Sequence, residues 1–330
     1  MAEVVEQEEV DRLAADALAQ FDVSPRSTLR LVNLSENWTY RVEDPETRAA
    51  YALRVHRIGY HTPQEIASEL SWIDALQQAA VVGTVTALPA RSGERVIQAE
   101  TASVPERSVV LFEWEDGAPP DPDANLLPVY RSLGAISAGM HGHSRTWQRP
   151  EGFTRFTWDF DTALGAHGHW GRWQDAVGLD AELQAIFQQT VDVIDHRLRA
   201  YGKGPGRFGL IHADMRPANL LVLGDDVRAI DFDDCGHGWF MYDFATTISF
   251  IEDHPMVPAW RAAWLEGYRS VAALDDEDEA ELDTFVMLRR LMLVSWIGSH
   301  YAFATEAQEL GAGFTIATRA LAEDYLATYA

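Results

Sequence analysis

One stretch in the second half of the chain constrains the fold more than any other. It reads His-Ala-Asp-Met-Arg-Pro-Ala-Asn over His212–Asn219, and two short apolar runs follow it, Leu220–Leu223 and Val227–Ile230, joined by a Gly-Asp-Asp turn. Two apolar runs around such a turn predict a β-hairpin. Asp231 comes directly after the second run, so the hairpin returns an acidic residue to the place where the first stretch ends.

Phosphoryl transfer explains this spacing. The reaction needs one carboxylate that accepts or orients the proton of the acceptor hydroxyl, and oxygen ligands on separate elements that hold Mg²⁺ across the nucleotide phosphates. Asp214, Asn219 and Asp231 supply those groups. The alternative is that His, Asp and Asn only mark turns here, as these residues often do.

These segments resemble the aminoglycoside phosphotransferase and choline kinase family, which includes homoserine kinase-like members. The family's catalytic loop reads His-x-Asp-x-x-x-x-Asn and its next segment reads Ile-Asp-Phe, matched here by His212–Asn219 and Ile230–Phe232. The resemblance spans nearly the whole chain. It implies an α+β, bilobal protein-kinase-like fold, with a small antiparallel-sheet N-lobe and a mainly helical C-lobe.

The resemblance also implies roles for single residues. It implies a nucleoside triphosphate donor, ATP with GTP left open, together with Mg²⁺, a base at Asp214 and metal ligands at Asn219 and Asp231. The later Tyr-Asp-Phe-Ala segment is similar to the family's Tyr-Asp-Leu-Ala, which implies that Asp243 supports the catalytic loop without reacting. His212 is expected to orient the loop and not to act as the base.

A Pro/Gly-rich cluster at Asp116–Pro122 separates two regions of different pattern. Before it, strand-like alternation covers Thr28–His56, and a capped helix follows Thr62. After it, helical patterns dominate. We therefore expect an N-terminal nucleotide-binding lobe over residues 1–115, and a mainly helical C-terminal lobe over 116–330 that carries the catalytic loop and the acceptor site.

The same patterns locate individual elements. Strands are expected at Gly83–Leu88 and Val109–Glu113. Helices are expected over Val4–Phe21, Val129–His143, Glu182–Tyr201, Pro258–Val271, Glu279–His300 and Ala317–Tyr329.

Two features of the N-terminal region are candidates for nucleotide phosphates. In the turn Ser35–Asn37, the Ser35 hydroxyl and backbone N–H groups near Asn37 are placed to contact them, although the turn has no glycine and a plain hairpin connection is the alternative. Arg54 on the third strand is the second candidate, with Glu69 as its ion-pair partner and a solvent-facing arginine as the alternative. Lys203 is the only lysine, so no Gly-x-x-x-x-Gly-Lys-Ser/Thr loop exists.

The adenine site is expected at the end of the strand before the lobe boundary. Phe112, Glu113 and Trp114 form an apolar strand end whose backbone would hydrogen-bond the base. This expectation comes mainly from the family resemblance, because any edge strand has a similar sequence.

An aromatic segment of the second lobe is the first candidate for the acceptor site. Trp158, Asp159 and Trp170 combine ring faces with a carboxylate, a combination that holds ammonium groups. The alternative is that these rings pack a loop onto the helices. Carboxylates of Asp233, Asp234 and Glu252 would add negative charge around an amine, and exposed loops are the alternative for them.

Composition excludes several classes of partner. The chain has 51 acidic and 26 basic residues, and a formal charge of −25 disfavours nucleic acid and anionic lipid as partners. The longest apolar stretch, Phe285–Ile297, is interrupted by two arginines, so we expect no membrane span. One cysteine and an acidic start lead us to expect a soluble, cytoplasmic protein.

We therefore expect a kinase that transfers the γ-phosphate of ATP to a hydroxyl group by in-line transfer. Its acceptor would be a small, hydroxylated molecule, cationic in one reading, such as an aminoglycoside, an amino sugar, a choline-like amino alcohol or a homoserine-like metabolite. Two alternatives stay open: a bacterial Ser/Thr protein kinase of the same fold, and a nucleotide-binding scaffold without catalysis. The oligomeric state is not predicted.

Overall fold

A computed structural model describes residues 7–34, 37–224, 226–302 and 304–330. Ser35, in the turn expected to contact phosphates, lies outside the described residues, as do residues 4–6 of the first expected helix and one residue of the hairpin turn. The chain divides into two compact units: Met1–Gly117 with Arg149–Thr154, and Ala118–Gln148 with Arg155–Ala330. The function expected for each lobe stays a prediction.

The first unit is an antiparallel sheet with two helices. Its elements are α1 (Gln7–Leu18), β1 (Thr28–Leu34), β2 (Trp38–Glu43), β3 (Ala50–Val55), α2 (Pro63–Gln78), β4 (Ala87–Leu88), β5 (Ile97–Ala99) and β6 (Arg107–Glu113). The strand order is β1-β2-β3-β6-β4, with β5 paired to β6, and every pairing is antiparallel.

Strand alternation determines which side chains of this sheet reach the core. Leu53 and Val55 of β3 are buried in one cluster with residues of α1 and β6. Arg54 lies between them in sequence and therefore points to the opposite face. On α2, Thr62 and Glu65 form the expected capping box ahead of a helix that starts with Pro63.

The second unit is mainly helical. Its elements are α3 (Leu127–Thr146), β7 (Phe156–Trp158), α4 (Phe160–Ala163), α5 (Ala181–Tyr201), β8 (Phe208–Ile211), β9 (Leu220–Leu223), β10 (Asp226–Ala229), β11 (Gly236–Trp239), α6 (Tyr242–Thr247), α7 (Val257–Val271), α8 (Asp276–Ala280), α9 (Leu282–His300) and α10 (Thr305–Tyr329). Strands β9 and β10 form the predicted hairpin, and β11 pairs with β8 and β7.

Close packing of α3 against α7 prepares the site. A Cβ added at Gly134 of α3 or Gly267 of α7 would collide with a backbone carbonyl oxygen of the opposite helix. The two backbones therefore approach more closely than larger residues would allow. This approach brings His141 of α3 against Tyr268 of α7.

The α+β class is confirmed, and several element bounds differ from expectation. The strand expected at Gly83–Leu88 is reduced to two paired residues, and β5 was not expected. The helix expected over Glu279–His300 is divided into α8 and α9. The last helix begins earlier than expected, at Thr305, and contains a kink at Gly311, where φ is 46°. In the part of the chain that the structure describes, no helix has the length and apolar character that crossing a membrane requires.

Candidate functional site

The loop between β8 and β9 contains the predicted catalytic stretch and is held by one buried carboxylate. Asp243, at the start of α6, accepts the N–H of Ala213 at 2.8 Å through Oδ1 and the N–H of His212 at 3.2 Å through Oδ2. Ala213 has φ of 66°, in the left-handed region that non-glycine residues rarely adopt. These charge-assisted hydrogen bonds therefore stabilise an unfavourable backbone conformation.

Asp243 is fixed in turn from α3, α7 and its own helix. His141 Nε2 lies 3.0 Å from Asp243 Oδ2, and His141 Nδ1 lies 3.1 Å from the Tyr268 hydroxyl. Burial lowers the pKa of His141, so the ring is neutral, with its proton on the nitrogen that faces the carboxylate. Thr246, on the same helix as Asp243, is a second anchor for the catalytic loop, because its Oγ1 accepts the N–H of Met215 at 2.9 Å.

His212 joins the loop to the far end of the hairpin. Its Nδ1 accepts the N–H of Asp214 at 3.3 Å, and its Nε2 donates to the carbonyl oxygen of Ile230 at 3.2 Å. Burial lowers the pKa of His212, and both ring nitrogens are already engaged. The ring is therefore suited to orienting the loop and unsuited to accepting a proton from an acceptor.

Both carboxylate oxygens of Asp214 have partners. Oδ2 accepts from Asn219 Nδ2 at 2.6 Å and lies 3.5 Å from Arg216 Nε, whereas Oδ1 accepts from Arg289 Nη2 at 2.7 Å. The charge of Asp214 is the largest cause of the raised pKa of Arg216. The Asp214 side chain is 16% exposed, so a small molecule can reach it.

The hairpin brings Asp231 to the same end as Asn219. The N–H of Ile230 donates to the Asn219 carbonyl oxygen at 2.9 Å, and Asp231 follows with φ of 62°. Burial lowers the pKa of His212, and the charges of Asp243, Asp214 and Asp231 oppose this shift, so the carboxylates of Asp214 and Asp231 both lie near that ring. The predicted gathering of Asp214, Asn219 and Asp231 is thus present in the second unit.

The donor set at this end of the hairpin fits a hard divalent cation. Asn219 gives its Nδ2 hydrogens to the carbonyl and carboxylate oxygens of Asp214, which turns its amide oxygen away from Asp214. Asp231 contributes a carboxylate, and oxygen donors are the ligands that Mg²⁺ takes. The residues therefore fit the cation that the sequence predicts.

Arg289 contacts the predicted catalytic residue but was not predicted from the sequence. It lies on α9, is 2% exposed, and binds Asp214 together with the hydroxyls of Tyr242 and Ser249. Its guanidinium also lies 4.7 Å from the centre of the Trp170 ring. The signal was available, because two consecutive arginines interrupt an otherwise apolar helix, but the sequence does not identify their partners.

The aromatic acceptor residues are part of the packed core. Trp158 is buried and donates its Nε1–H to the Asp234 carbonyl oxygen at 2.7 Å, and Trp170 is buried beneath Arg289. Asp233 and Asp234 are themselves buried, so the exposed-loop alternative is wrong for both. The packing alternative therefore holds for these two rings, and an open aromatic cage at Trp158 and Trp170 does not form.

Two further acceptor candidates are occupied by ion pairs. Asp159 caps α4 and lies 2.7 Å from Lys203; although burial acts to raise the pKa of Asp159, the bonds from Lys203 and Thr162 lower it overall. Glu252 lies 2.6 Å from Arg290, and burial raises its pKa. The exposed-loop alternative for Glu252 is wrong, because its carboxylate is buried in an ion pair.

In the first unit, the predicted ion pair between Arg54 and Glu69 is present. Arg54 Nη1 lies 3.4 Å from Glu69 Oε1, and the Glu69 side chain is 1% exposed. Arg54 also lies 5.4 Å from the centre of the Phe112 ring. The solvent-facing alternative for Arg54 is therefore wrong, whereas the part of Arg54, Glu69 and Phe112 in nucleotide binding stays a prediction.

Three other nucleotide candidates are tied into the sheet. Asn37 Oδ1 accepts the N–H of Arg57 at 3.0 Å. The N–H of Glu113 donates to Thr86 at 2.9 Å, and the N–H of Trp114 donates to Ala50 at 3.2 Å. Those two N–H groups are already used, so adenine would have to meet the carbonyl groups there or the chain beyond Trp114.

Comparison with known proteins extends these observations. Residues 28–282 match the sequence profile of the phosphotransferase enzyme family. A solved structure of the microcompartment-associated aminopropanol kinase is 46% identical, with a TM-score of 0.89, over 96% of this chain and 98% of that one. Amicoumacin kinase of Bacillus subtilis (strain 168) is 23% identical over 319 residues, 92% of this chain and 90% of the relative.

A second solved structure agrees in fold. Amicoumacin kinase hAmiN, in complex with AMP-PNP, Ca²⁺ and Ami, has a TM-score of 0.78 at 19% identity and covers 97% of this chain and 94% of that chain. At this identity the likeness concerns the fold alone. Together with the sheet and helices described above, these matches confirm the kinase-like α+β fold.

Proposed function

The chain belongs to the phosphotransferase enzyme family, and we propose that it is a kinase that uses ATP to phosphorylate the hydroxyl group of a small amino alcohol similar to aminopropanol. The observation that supports the proposal is the fixed orientation of the Asp214 carboxylate. Its carboxylate is oriented by Asn219 on one oxygen and by Arg289 on the other, on a loop whose backbone Asp243 holds.

Asp214 acts on the acceptor hydroxyl. Oδ1 is bound to the fully buried Arg289, whereas Oδ2 lies on the side of the partly exposed Arg216. The acceptor hydroxyl therefore donates its hydrogen bond to Oδ2, which aims the alcohol oxygen at the terminal phosphorus. Asp214 accepts the proton as the new O–P bond forms and the bond to the leaving nucleoside diphosphate breaks.

Asn219 and Asp231 would hold Mg²⁺ with the nucleotide phosphates. When bound, the cation neutralises the charge that develops on the phosphate oxygens. The chain's contribution is the fixed position of these two donors: the Asn219 amide is held by Asp214, and its backbone carbonyl is joined to Ile230 across the base of the hairpin. Few side chains then need to reorganise when the nucleotide binds.

Arg54 binds a phosphate of the nucleotide, and Glu69 keeps the guanidinium in place. A planar guanidinium offers several donors in a fixed fork, a geometry that matches phosphate oxygens, and Glu69 contacts this guanidinium at Nη1. The nearly complete burial of Glu69 supports this division, because a buried carboxylate stabilises an adjacent cation. The choice of ATP rests on family membership.

Similarity to the aminopropanol kinase supports an amino alcohol as the acceptor. Identity of 46% over almost the full length of both chains favours a related acceptor, while fold likeness alone would not. The net charge of −25 also favours a cationic acceptor over an anionic one. Trp158, Asp159 and Glu252 already bond partners within the protein, so we expect other residues to bind the ammonium group.

An acceptor panel tests the proposal. Phosphorylation rates are measured with ATP and Mg²⁺ on aminopropanol, ethanolamine, choline, homoserine, an aminoglycoside and propanediol, in the last of which a hydroxyl group replaces the amine. We expect kcat/KM for aminopropanol to exceed that for propanediol by at least about 10²-fold, because sites built to hydrogen-bond a substrate N–H reject analogues without it by up to about 10⁴–10⁵-fold.

Other outcomes point to the alternatives. Equal rates on aminopropanol and propanediol would remove the amine from the proposal. Labelling of protein with no small acceptor turned over would favour a protein kinase. Nucleotide binding in calorimetry with no turnover on any acceptor would favour a scaffold without catalysis.

A further inference from the structure

Two adjacent arginines of α9 are buried to the same extent but have different partners. Arg289 and Arg290 are each 2% exposed. A buried guanidinium is unfavourable unless carboxylates and hydrogen-bond acceptors surround it. Because successive residues on a helix point about 100° apart, the two side chains must find those partners in different parts of the unit.

Arg290 serves the packing of α9. Its Nη1 lies 2.6 Å from Glu252 Oε2, its Nε donates to Thr318 Oγ1 at 2.7 Å, and its guanidinium lies 3.5 Å from the centre of the Phe314 ring. These described partners belong to α10 and to the loop after α6. Arg290 therefore joins elements of the fold to one another.

Arg289 points to the catalytic loop. Its Nη2 donates to Asp214 Oδ1 at 2.7 Å, while Nη1 donates to the Tyr242 hydroxyl at 3.1 Å and Nε to Ser249 Oγ at 2.9 Å. Trp170 covers one face of the guanidinium at 4.7 Å. A guanidinium fixed by Tyr242, Ser249 and Trp170 presents Nη2 to Asp214 in one orientation.

We infer that Arg289 is a positioning residue that fixes the orientation of the Asp214 carboxylate. The second torsion of an aspartate is broad, so a carboxylate held at one oxygen can still turn. Asn219 holds Oδ2 at 2.6 Å, and Arg289 holds Oδ1 at 2.7 Å from the other side. With both ends fixed, Oδ2 stays directed at the acceptor hydroxyl, which is the orientation that the transfer needs.

This inference rests on the proposed role of Asp214 and adds a residue that the catalytic motif does not contain. Arg289 lies 75 positions beyond Asp214 in the sequence. In this role Arg289 acts through the catalytic loop and not on the substrate: Nη2 holds the Asp214 carboxylate, and Nη1 lies 3.4 Å from the Ala213 carbonyl oxygen. Its loss should therefore lower kcat and leave the KM for ATP unchanged, because the nucleotide contacts other residues.

Matched lysine substitutions test the inference. Arg289→Lys and Arg290→Lys alter neighbouring arginines of equal burial, and each keeps its positive charge but loses the planar fork. We expect kcat to fall by about 10–10²-fold in Arg289→Lys, since a misplacement of about 1 Å can cost 10²-fold, with the KM for ATP within about twofold of the parent. In Arg290→Lys we expect a lower melting temperature and kcat within about threefold.

A milder pair covers the case in which Arg289→Lys does not fold. Ser249→Ala removes the Nε partner of Arg289. Ser295→Ala removes a buried hydroxyl whose one bond, among the described residues, goes to a carbonyl of its own helix. We expect kcat to fall by about threefold or more in Ser249→Ala and to stay at the parental value in Ser295→Ala.

The failures of the two proposals are distinguishable through Asp214→Asn, measured in parallel. If Asp214→Asn keeps parental kcat, the proposed function is wrong. If Asp214→Asn lowers kcat while Arg289→Lys and Ser249→Ala match their controls, the positioning role is wrong and the proposed function stands. A rise in the KM for ATP in Arg289→Lys, with kcat unchanged, would also overturn the positioning role.

Discussion

Replacing Asp243 by asparagine tests how the catalytic loop is held. The carboxylate accepts three hydrogen bonds: from the N–H groups of His212 and Ala213 and from Nε2 of His141. An asparagine oxygen can still accept from Ala213, and neutral His141 can change tautomer to accept from the new amide. The N–H of His212 then faces an amide nitrogen and has no acceptor.

The magnitude follows from that one lost acceptor. A buried donor without a partner costs about 1–3 kcal/mol, and hydrogen bonds to a charged group are worth about 1.5–3 kcal/mol. We expect Asp243→Asn to lower the free energy of unfolding by about 2–3 kcal/mol, which a domain stable by about 5–15 kcal/mol survives. The loop shifts, and kcat should fall by about 10²-fold.

Urea unfolding followed by tryptophan fluorescence, together with kcat for the acceptor, measures both effects. Asp192→Asn, at an exposed position of α5 that bonds only Gln188 in the described contacts, is the matched control and should change the unfolding free energy by less than about 0.5 kcal/mol. Equal stability and equal kcat in the Asp243 and Asp192 variants would refute the role given to Asp243.

Three further predictions concern other parts of the chain. Ala80 is exposed and has φ of 51° where α2 ends, a backbone conformation that glycine favours. Ala80→Gly should therefore raise the free energy of unfolding by about 0.5–1 kcal/mol in urea titrations. No increase would contradict this prediction. Arg54→Met should raise the KM for ATP by about 10-fold or more, whereas Arg30→Met, on the exposed part of β1, should not; equal KM values would remove Arg54 from the nucleotide site. Burial lowers the pKa of His141 and His212, so both are neutral in the folded protein and protonate only in the unfolded chain, below about pH 6.5. The free energy of unfolding should therefore fall as the pH decreases below that value, by up to about 1.4 kcal/mol per pH unit for each histidine. An unchanged slope in His141→Gln would contradict this.

Features that depend on neighbouring residues were predictable from the sequence. The capping box at Thr62 and the hairpin after Asn219 each depend on a few adjacent residues, and both are present. The gathering of Asp214, Asn219 and Asp231 followed from the hairpin alone, because its two strands return the chain to one place.

Features that depend on distant partners were not predictable. Strand β5 has three residues and exists through its pairing with β6, so its own pattern carries no signal. The segment Arg149–Thr154 belongs to the first unit, where the Thr154 N–H donates to Ser68 Oγ at 3.0 Å across 86 positions of sequence.

Buried charge was the main source of error at the site. The charge of Glu252 and Asp159 suggested an acceptor site, but within the protein Arg290 pairs with Glu252 and Lys203 with Asp159. Arg289 interrupts an apolar helix, which excluded a membrane span but did not reveal its contact with Asp214. A sequence shows that a charge must be compensated without showing which residue compensates it.

The account depends most on Asp214 as the residue that orients the acceptor hydroxyl. The direct measurement compares Asp214→Asn with the parent in two quantities: kcat for phosphorylation of aminopropanol, and the calorimetric Kd for the Mg²⁺–nucleotide complex. We predict that kcat falls by about 10²–10⁴-fold, the usual contribution of a positioned base, while Kd stays within about threefold. An unchanged kcat, or nucleotide binding lost in proportion to activity, would contradict the account.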